Sequence, residues 1–105
     1  DVAKQLRARK AARIFVFATF GLFTKGMERF DKATSDGLIT RIFTTNCIYQ
    51  NPETLSRDYY TSVDTSRYIA LIIDTLNHDA SMEPLLFPQE KIHAFLADYR
   101  AKQKK

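Results

Sequence analysis

The spacing of apolar residues changes period three times within the first half of the chain. Over residues 2–12, Val2, Leu6 and Ala3 fall on one side of a predicted helix and bases fall on the other. Ile14-Phe15-Val16-Phe17-Ala18-Thr19 then runs apolar with almost no break. Such a run predicts a strand buried on both faces, as in the parallel sheet of an α/β fold. Gly21 and Gly26 bracket a loop, and helical spacing resumes over residues 26–35, with Met27, Phe30 and Ala33 facing inward and Gly37 as the stop. Arg41-Ile42-Phe43-Thr44-Thr45-Asn46 predicts a second strand, rich in β-branched and aromatic residues. Helix, strand, helix and strand in that order call for the crossover that joins parallel strands.

The second half is less regular. Residues 50–58 form a long polar connection in which Pro52 forbids a central strand, and residues 59–63 predict a third, shorter strand. Ser66 is the expected cap of an apolar helix from Tyr68 to about His78. That helix is apolar nearly all round, so burial in a sheet face or a subunit contact is expected. Pro88 fits the first position of a last helix, where Ile92, Phe95, Leu96 and Tyr99 recur at i, i+3, i+4 and i+7. The expected fold class is α/β, with about three mostly parallel strands and about four helices. An open sheet of this kind wants helices on both faces and strands on both sides. A chain that starts in a helix, with no strand before it, reads as the C-terminal part of a larger domain.

Composition narrows the class. The chain has 105 residues, 45% hydrophobic and 27% charged, which fits one globular domain or part of one. No apolar run approaches the ~18 residues that span a bilayer, so no membrane partner is expected. The first residues lack an apolar core and an initiator Met and do not read as a signal peptide. A single Cys excludes an internal disulfide framework and fits a reducing, cytoplasmic compartment. The formal charge of +4 is unevenly spread. Residues 1–13 carry Lys4, Arg7, Arg9, Lys10 and Arg13 against Asp1, and residues 98–105 carry Arg100, Lys102, Lys104 and Lys105 against Asp98. The body between them is net acidic. Each basic cluster lies at the C-terminal end of a predicted helix, where cations complement the dipole. Solvated helix ends are the plain reading, and a tether to phosphate or an acidic partner is the alternative.

Candidate chemistry is sparse. The glycines fit no phosphate-binding fingerprint, and His78 and His93 lack the spacing of zinc ligands. His78 beside Asp79 reads as a surface pair near a helix end. Cys47 reads as a buried or semi-buried free thiol, with a nucleophile as the alternative, and Lys25 as a solvated turn lysine or a phosphate contact. Asp64, Asp74 and Asp79 have no spacing diagnostic of Mg²⁺. The aromatic residues are not interleaved with bases, so a nucleic-acid partner is not expected.

Two strings carry a more specific pattern. Ala18-Thr19-Phe20-Gly21-Leu22-Phe23 follows a strand after a basic helix, and Thr45-Asn46 closes the next strand. Asp64-Thr65-Ser66 then opens an apolar helix that ends Leu76-Asn77-His78-Asp79-Ala80-Ser81, followed by Leu85-Leu86-Phe87. In this order the chain resembles the C-terminal part of ribose-phosphate pyrophosphokinase (phosphoribosyl pyrophosphate synthetase), in a divergent bacterial branch, over residues 2–96. The resemblance implies a partial phosphoribosyltransferase-type domain, with the upstream strand, the ribose-phosphate loop and the N-terminal domain outside residues 1–105. It also implies an activity for the parent protein: transfer of diphosphate from ATP to ribose 5-phosphate, with Mg²⁺, for nucleotide biosynthesis. Assembly from dimers into hexamers is implied as well. By the same resemblance the 105 residues alone are expected to be inactive, to hold no catalytic, cofactor or metal residue, and to bind neither Mg²⁺ nor ATP. Apolar surface and self-association are expected of them.

Two departures matter. Phe20 stands where most relatives carry His, so any polar role there is lost. The stretch that lines an allosteric anion site in many relatives is matched by Ser81-Met82-Glu83. Ser81 is therefore the one candidate regulatory residue. Glu83 would set a carboxylate beside the anion, so control by ADP is expected to be weak or absent. A non-catalytic scaffold related to the synthetase, and a basic-ended module that binds anions or nucleic acid, are the alternatives.

Overall fold

The computed structural model describes residues 1–103. They fold as mixed α/β, in the order α1 (Val2–Ala8), β1 (Phe15–Ala18), α2 (Glu28–Ser35), β2 (Arg41–Thr45), α3 (Pro52–Leu55), β3 (Tyr60–Val63), α4 (Ser66–Asn77), α5 (Glu83–Leu86) and α6 (Gln89–Gln103). The chain divides into two compact units, Asp1–Thr65 and the residues from Ser66 onward. In the first unit the three strands form one parallel sheet in the order β1-β2-β3, with Val16 beside Ile42 and Ile42 beside Tyr60.

Strand alternation sorts the side chains onto two faces. Val16, Ile42, Thr44 and Tyr60 share the covered face, where Ile42 is 2% exposed and packs with Ile39 and Tyr60. Ala3 of α1, Phe30 and Ala33 of α2, and Phe23 from the loop close over this cluster. The inward positions expected for Met27, Phe30 and Ala33 are those observed, with Met27 buried. The other face carries Phe15, Phe17 and Phe43. Phe17 stacks on Phe43 with ring centroids 4.7 Å apart but stays 74% exposed. Burial of β1 on both faces is therefore not observed: β1 is an edge strand covered on one side, and only Ile14, just before it, is buried.

Helix count and ends also differ from expectation. Among the described residues there are six helices rather than about four: Pro52 opens the single turn α3, and Pro84 is the second residue of the single turn α5. Pro at a first helical position sacrifices no hydrogen bond, and the Asn51 side chain accepts the Glu53 N–H at 3.0 Å. Pro88 lies one residue before α6 rather than within it, and Ser66 is the first residue of α4 rather than its preceding cap. Helix α1 stops at Ala8, short of residue 12. Lys10 turns left-handed at φ 67°, and its N–H reaches Arg7 O while the Ala11 N–H reaches Leu6 O. Gly37, φ 68°, ends α2 by the same pair of bonds, from Gly37 N–H to Thr34 O and Leu38 N–H to Ala33 O. Arg7 then fastens the two helix ends. Its guanidinium donates to Ala11 O at 2.8 Å, Ala12 O at 2.9 Å and Gly37 O at 3.0 Å. One base of the N-terminal cluster is thus a structural tie and not part of a solvated end.

In the second unit α4 has no buried residue. Tyr68, Ile69, Leu71, Ile73 and Leu76 are all exposed. The Tyr68 hydroxyl donates to Leu85 O at 2.7 Å, tying α4 to α5. In α6, Ile92, Phe95, Leu96 and Tyr99 are exposed, and Lys102 pairs with Asp98 at 2.7 Å. Lys104 and Lys105 lie outside the described residues. No described helix is long and apolar enough to cross a membrane.

Candidate functional site

Parallel strands end together at one edge of their sheet, and in open α/β sheets that edge is where ligands bind. Here the edge is polar. The Thr45 hydroxyl donates to Thr19 O at 2.6 Å, joining the ends of β1 and β2. Asn46 joins the ends of β2 and β3: its Nδ2 donates to Asp64 Oδ1 at 2.9 Å, while its Oδ1 accepts the Thr65 N–H at 3.0 Å and the Thr65 hydroxyl at 2.8 Å. A single amide satisfied on both sides fixes the backbone where the chain leaves the sheet. The strings Thr45-Asn46 and Asp64-Thr65, eighteen and nineteen residues apart in these pairs, are thereby brought into contact.

Cys47 sits beside this knot, its Sγ 3.3 Å from Thr65 Oγ1. It is exposed, not buried or semi-buried as expected, because β2 ends at Thr45 and Cys47 lies beyond the covered sheet. Hydrogen bonding to Thr45 first, and then to Thr65, holds its thiol below the ordinary value, against a smaller opposing effect of burial.

Behind the edge lies a second network that the sequence did not signal. Gln50 Nε2 donates to Tyr60 OH at 2.8 Å and to Thr45 O at 3.2 Å, and Gln50 Oε1 accepts the Ser62 hydroxyl. Tyr60 OH in turn meets Thr44 Oγ1, a buried hydroxyl pair. No buried side-chain N or O among the described residues lacks a partner. Gln50 and Tyr60 also line a polar cleft of about 330 Å³ together with Tyr49, Glu53 and Arg57. One wall is fastened by a further cluster. Arg57 holds Asp31 through two hydrogen bonds, and the Tyr59 hydroxyl donates to Asp31 Oδ1. The bonds from Arg57 and then Tyr59 hold the Asp31 carboxyl below its ordinary value, and the bond to Asp31 holds the Arg57 guanidinium above its own. Partial burial, and then the hydrogen bond to Asp31 and its charge, push the Tyr59 hydroxyl up to about 12.

The remaining candidates are scattered. His78 pairs with Asp74 one turn back, at 3.3 Å, rather than with Asp79, which is left-handed at φ 48°. His93 lies on α6, and Lys25 is exposed in the loop before α2. Among the described residues no three His, Cys, Asp or Glu side chains are grouped to hold a metal ion. In the second unit the Ser81 Oγ accepts the Glu83 N–H at 3.2 Å, closing the turn into α5. Both Ser81 and Glu83 are exposed. Comparison with protein families, curated proteins and solved structures gives no match.

Proposed function

We propose that the chain is the C-terminal part of a ribose-phosphate diphosphokinase, the protein that passes diphosphate from ATP to ribose 5-phosphate. The observation that carries the reading is the meeting of separate strings of the resemblance at one sheet edge. Ala18-Thr19-Phe20-Gly21-Leu22-Phe23 leaves β1 there, Thr45-Asn46 leaves β2, and Asp64-Thr65 leaves β3, with Asn46 bonded to both Asp64 and Thr65. The parallel sheet, with consecutive strands adjacent, agrees with the α/β class that this reading requires.

In this reading Mg²⁺ and both substrates are held by the rest of the protein, and this segment supplies scaffold. Diphosphoryl transfer is largely positioning and charge neutralisation. The contribution of residues 1–103 is to hold the strand ends still, through Thr45, Asn46 and Thr65. Exposed Phe17 with half-buried Phe43 on the sheet, and the exposed apolar residues of α4, are in this reading surfaces covered in the assembled homo-oligomer. Ser81 and Glu83 keep the role of a weak or absent regulatory anion site. The test is formation of AMP from ATP and ribose 5-phosphate by the complete protein, with the 105-residue chain inactive alone.

A further inference from the structure

We propose that the first unit carries a separate site for a small aromatic anion, in the cleft beside β1. The cleft has a volume of about 430 Å³, within the range of roughly 300–1,000 Å³ usual for small-molecule sites. Val16 and Ile42 of the covered sheet face form its floor, and Phe23 and Phe30 form a wall. That wall is set: Phe23 meets Phe30 edge to face at 5.2 Å and Tyr60 at 5.7 Å. Phe20 and Leu22 stand exposed at the rim.

The charge of the lining is one-sided. Lys25 and Arg29 both line the cleft, and no Asp or Glu is among its lining residues. Both cations are exposed whereas Phe23 and Phe30 are half-buried, which sets positive charge toward solvent and these two rings inward. A flat apolar ring fits the interior, and a phosphate or carboxylate on that ring fits the mouth. Neither inorganic phosphate nor an uncharged ring uses both parts. The site does not depend on the reaction proposed above, since its readout is binding alone.

The test uses the full 105-residue chain and 1-naphthyl phosphate, with 1-naphthol and inorganic phosphate as the two half-ligands. The chain has no Trp, so naphthyl fluorescence is read without indole background. Saturable binding of 1-naphthyl phosphate is expected, tighter than either half-ligand. The Lys25→Ala/Arg29→Ala variant should weaken it roughly ten-fold, the loss of a charge-assisted contact, and leave 1-naphthol unchanged. Leu22→Asp, at an exposed position, should abolish binding by placing a carboxylate at the rim. Phe17→Ser, on the opposite sheet face, should change nothing. Equal binding by the double variant, or a loss confined to Phe17→Ser, would overturn the proposal.

Discussion

Arg57 holds both carboxylate oxygens of Asp31, with Nε at 2.7 Å and Nη2 at 3.0 Å, across 26 residues of sequence. The pair fastens the connection after β2 to helix α2, and Tyr59 adds a hydroxyl to the same carboxylate. Because the Asp31 carboxyl is lowered, its contribution is present above its ordinary value of 3.8 and is lost as pH falls through the lower folded value. Tyr59 works in the opposite sense. Its folded value of about 12 exceeds the ordinary 10.0, so its contribution is intact below 10.0 and is lost as pH rises toward 12. Tyr59→Phe should cost ~1 kcal/mol at neutral pH and flatten the alkaline limb of the stability profile. Denaturant titrations of both proteins across pH check this. An unchanged alkaline limb would show that Tyr59 titrates alike in the folded and unfolded protein.

Gly21 is required by space rather than by backbone conformation. A Cβ there would lie 2.6 Å from Phe23 Cε2, 3.2 Å from Thr44 Cγ2 and 3.2 Å from Tyr60 OH. Phe23 has no easy retreat, being packed edge to face on two rings. Gly21→Ala should therefore destabilise the fold by about 1–3 kcal/mol through overpacking. The expected readout is a lower denaturant midpoint with an unchanged slope.

Helix ends give a paired prediction. Gly37 and Lys10 both occupy the left-handed region and close the same two backbone bonds. A side chain at that conformation is strained, whereas glycine is not. Gly37→Ala should cost about 1 kcal/mol. Lys10→Gly should gain about 0.5 kcal/mol, since relief of strain exceeds the added freedom of the unfolded chain. Thermal unfolding of the two variants should shift in opposite directions.

These helix ends also show what the residues disclosed in advance. The stop at Gly37 was legible because glycine announces it; the stop at Lys10 was not, because nothing in a lysine predicts a left-handed turn. The strands were legible from dense β-branched and aromatic runs, and Met27, Phe30 and Ala33 from helical spacing. Cys47 was misplaced because its burial depends on β2 ending at Thr45, a boundary that composition does not mark. The Thr44–Tyr60–Gln50 network and the Asp31–Arg57 pair arise only when the fold brings residues distant in sequence together. Asn46 with Asp64 and Thr65 is intermediate: the strings were visible, but their contact was not.

The Cys47 thiol should react as its surroundings dictate. It is exposed and held below the ordinary value by hydroxyls of Thr45 and Thr65. The pH midpoint for alkylation by iodoacetamide should lie below that of a free cysteine. Thr65→Val should raise it, and Thr65→Ser, which keeps the hydroxyl, should not. Identical profiles for all three proteins would show that the Thr65 contact does not act on the thiol.

The proposed membership of this segment in a ribose-phosphate diphosphokinase is tested most directly by the reaction. The complete protein is supplied with ATP, Mg²⁺ and ribose 5-phosphate, and AMP and the diphosphorylated ribose are measured together. The account predicts the two products in equal amounts, and none from the 105-residue chain alone. Absence of both products from a folded complete protein, or AMP formed without the ribose product, would contradict it.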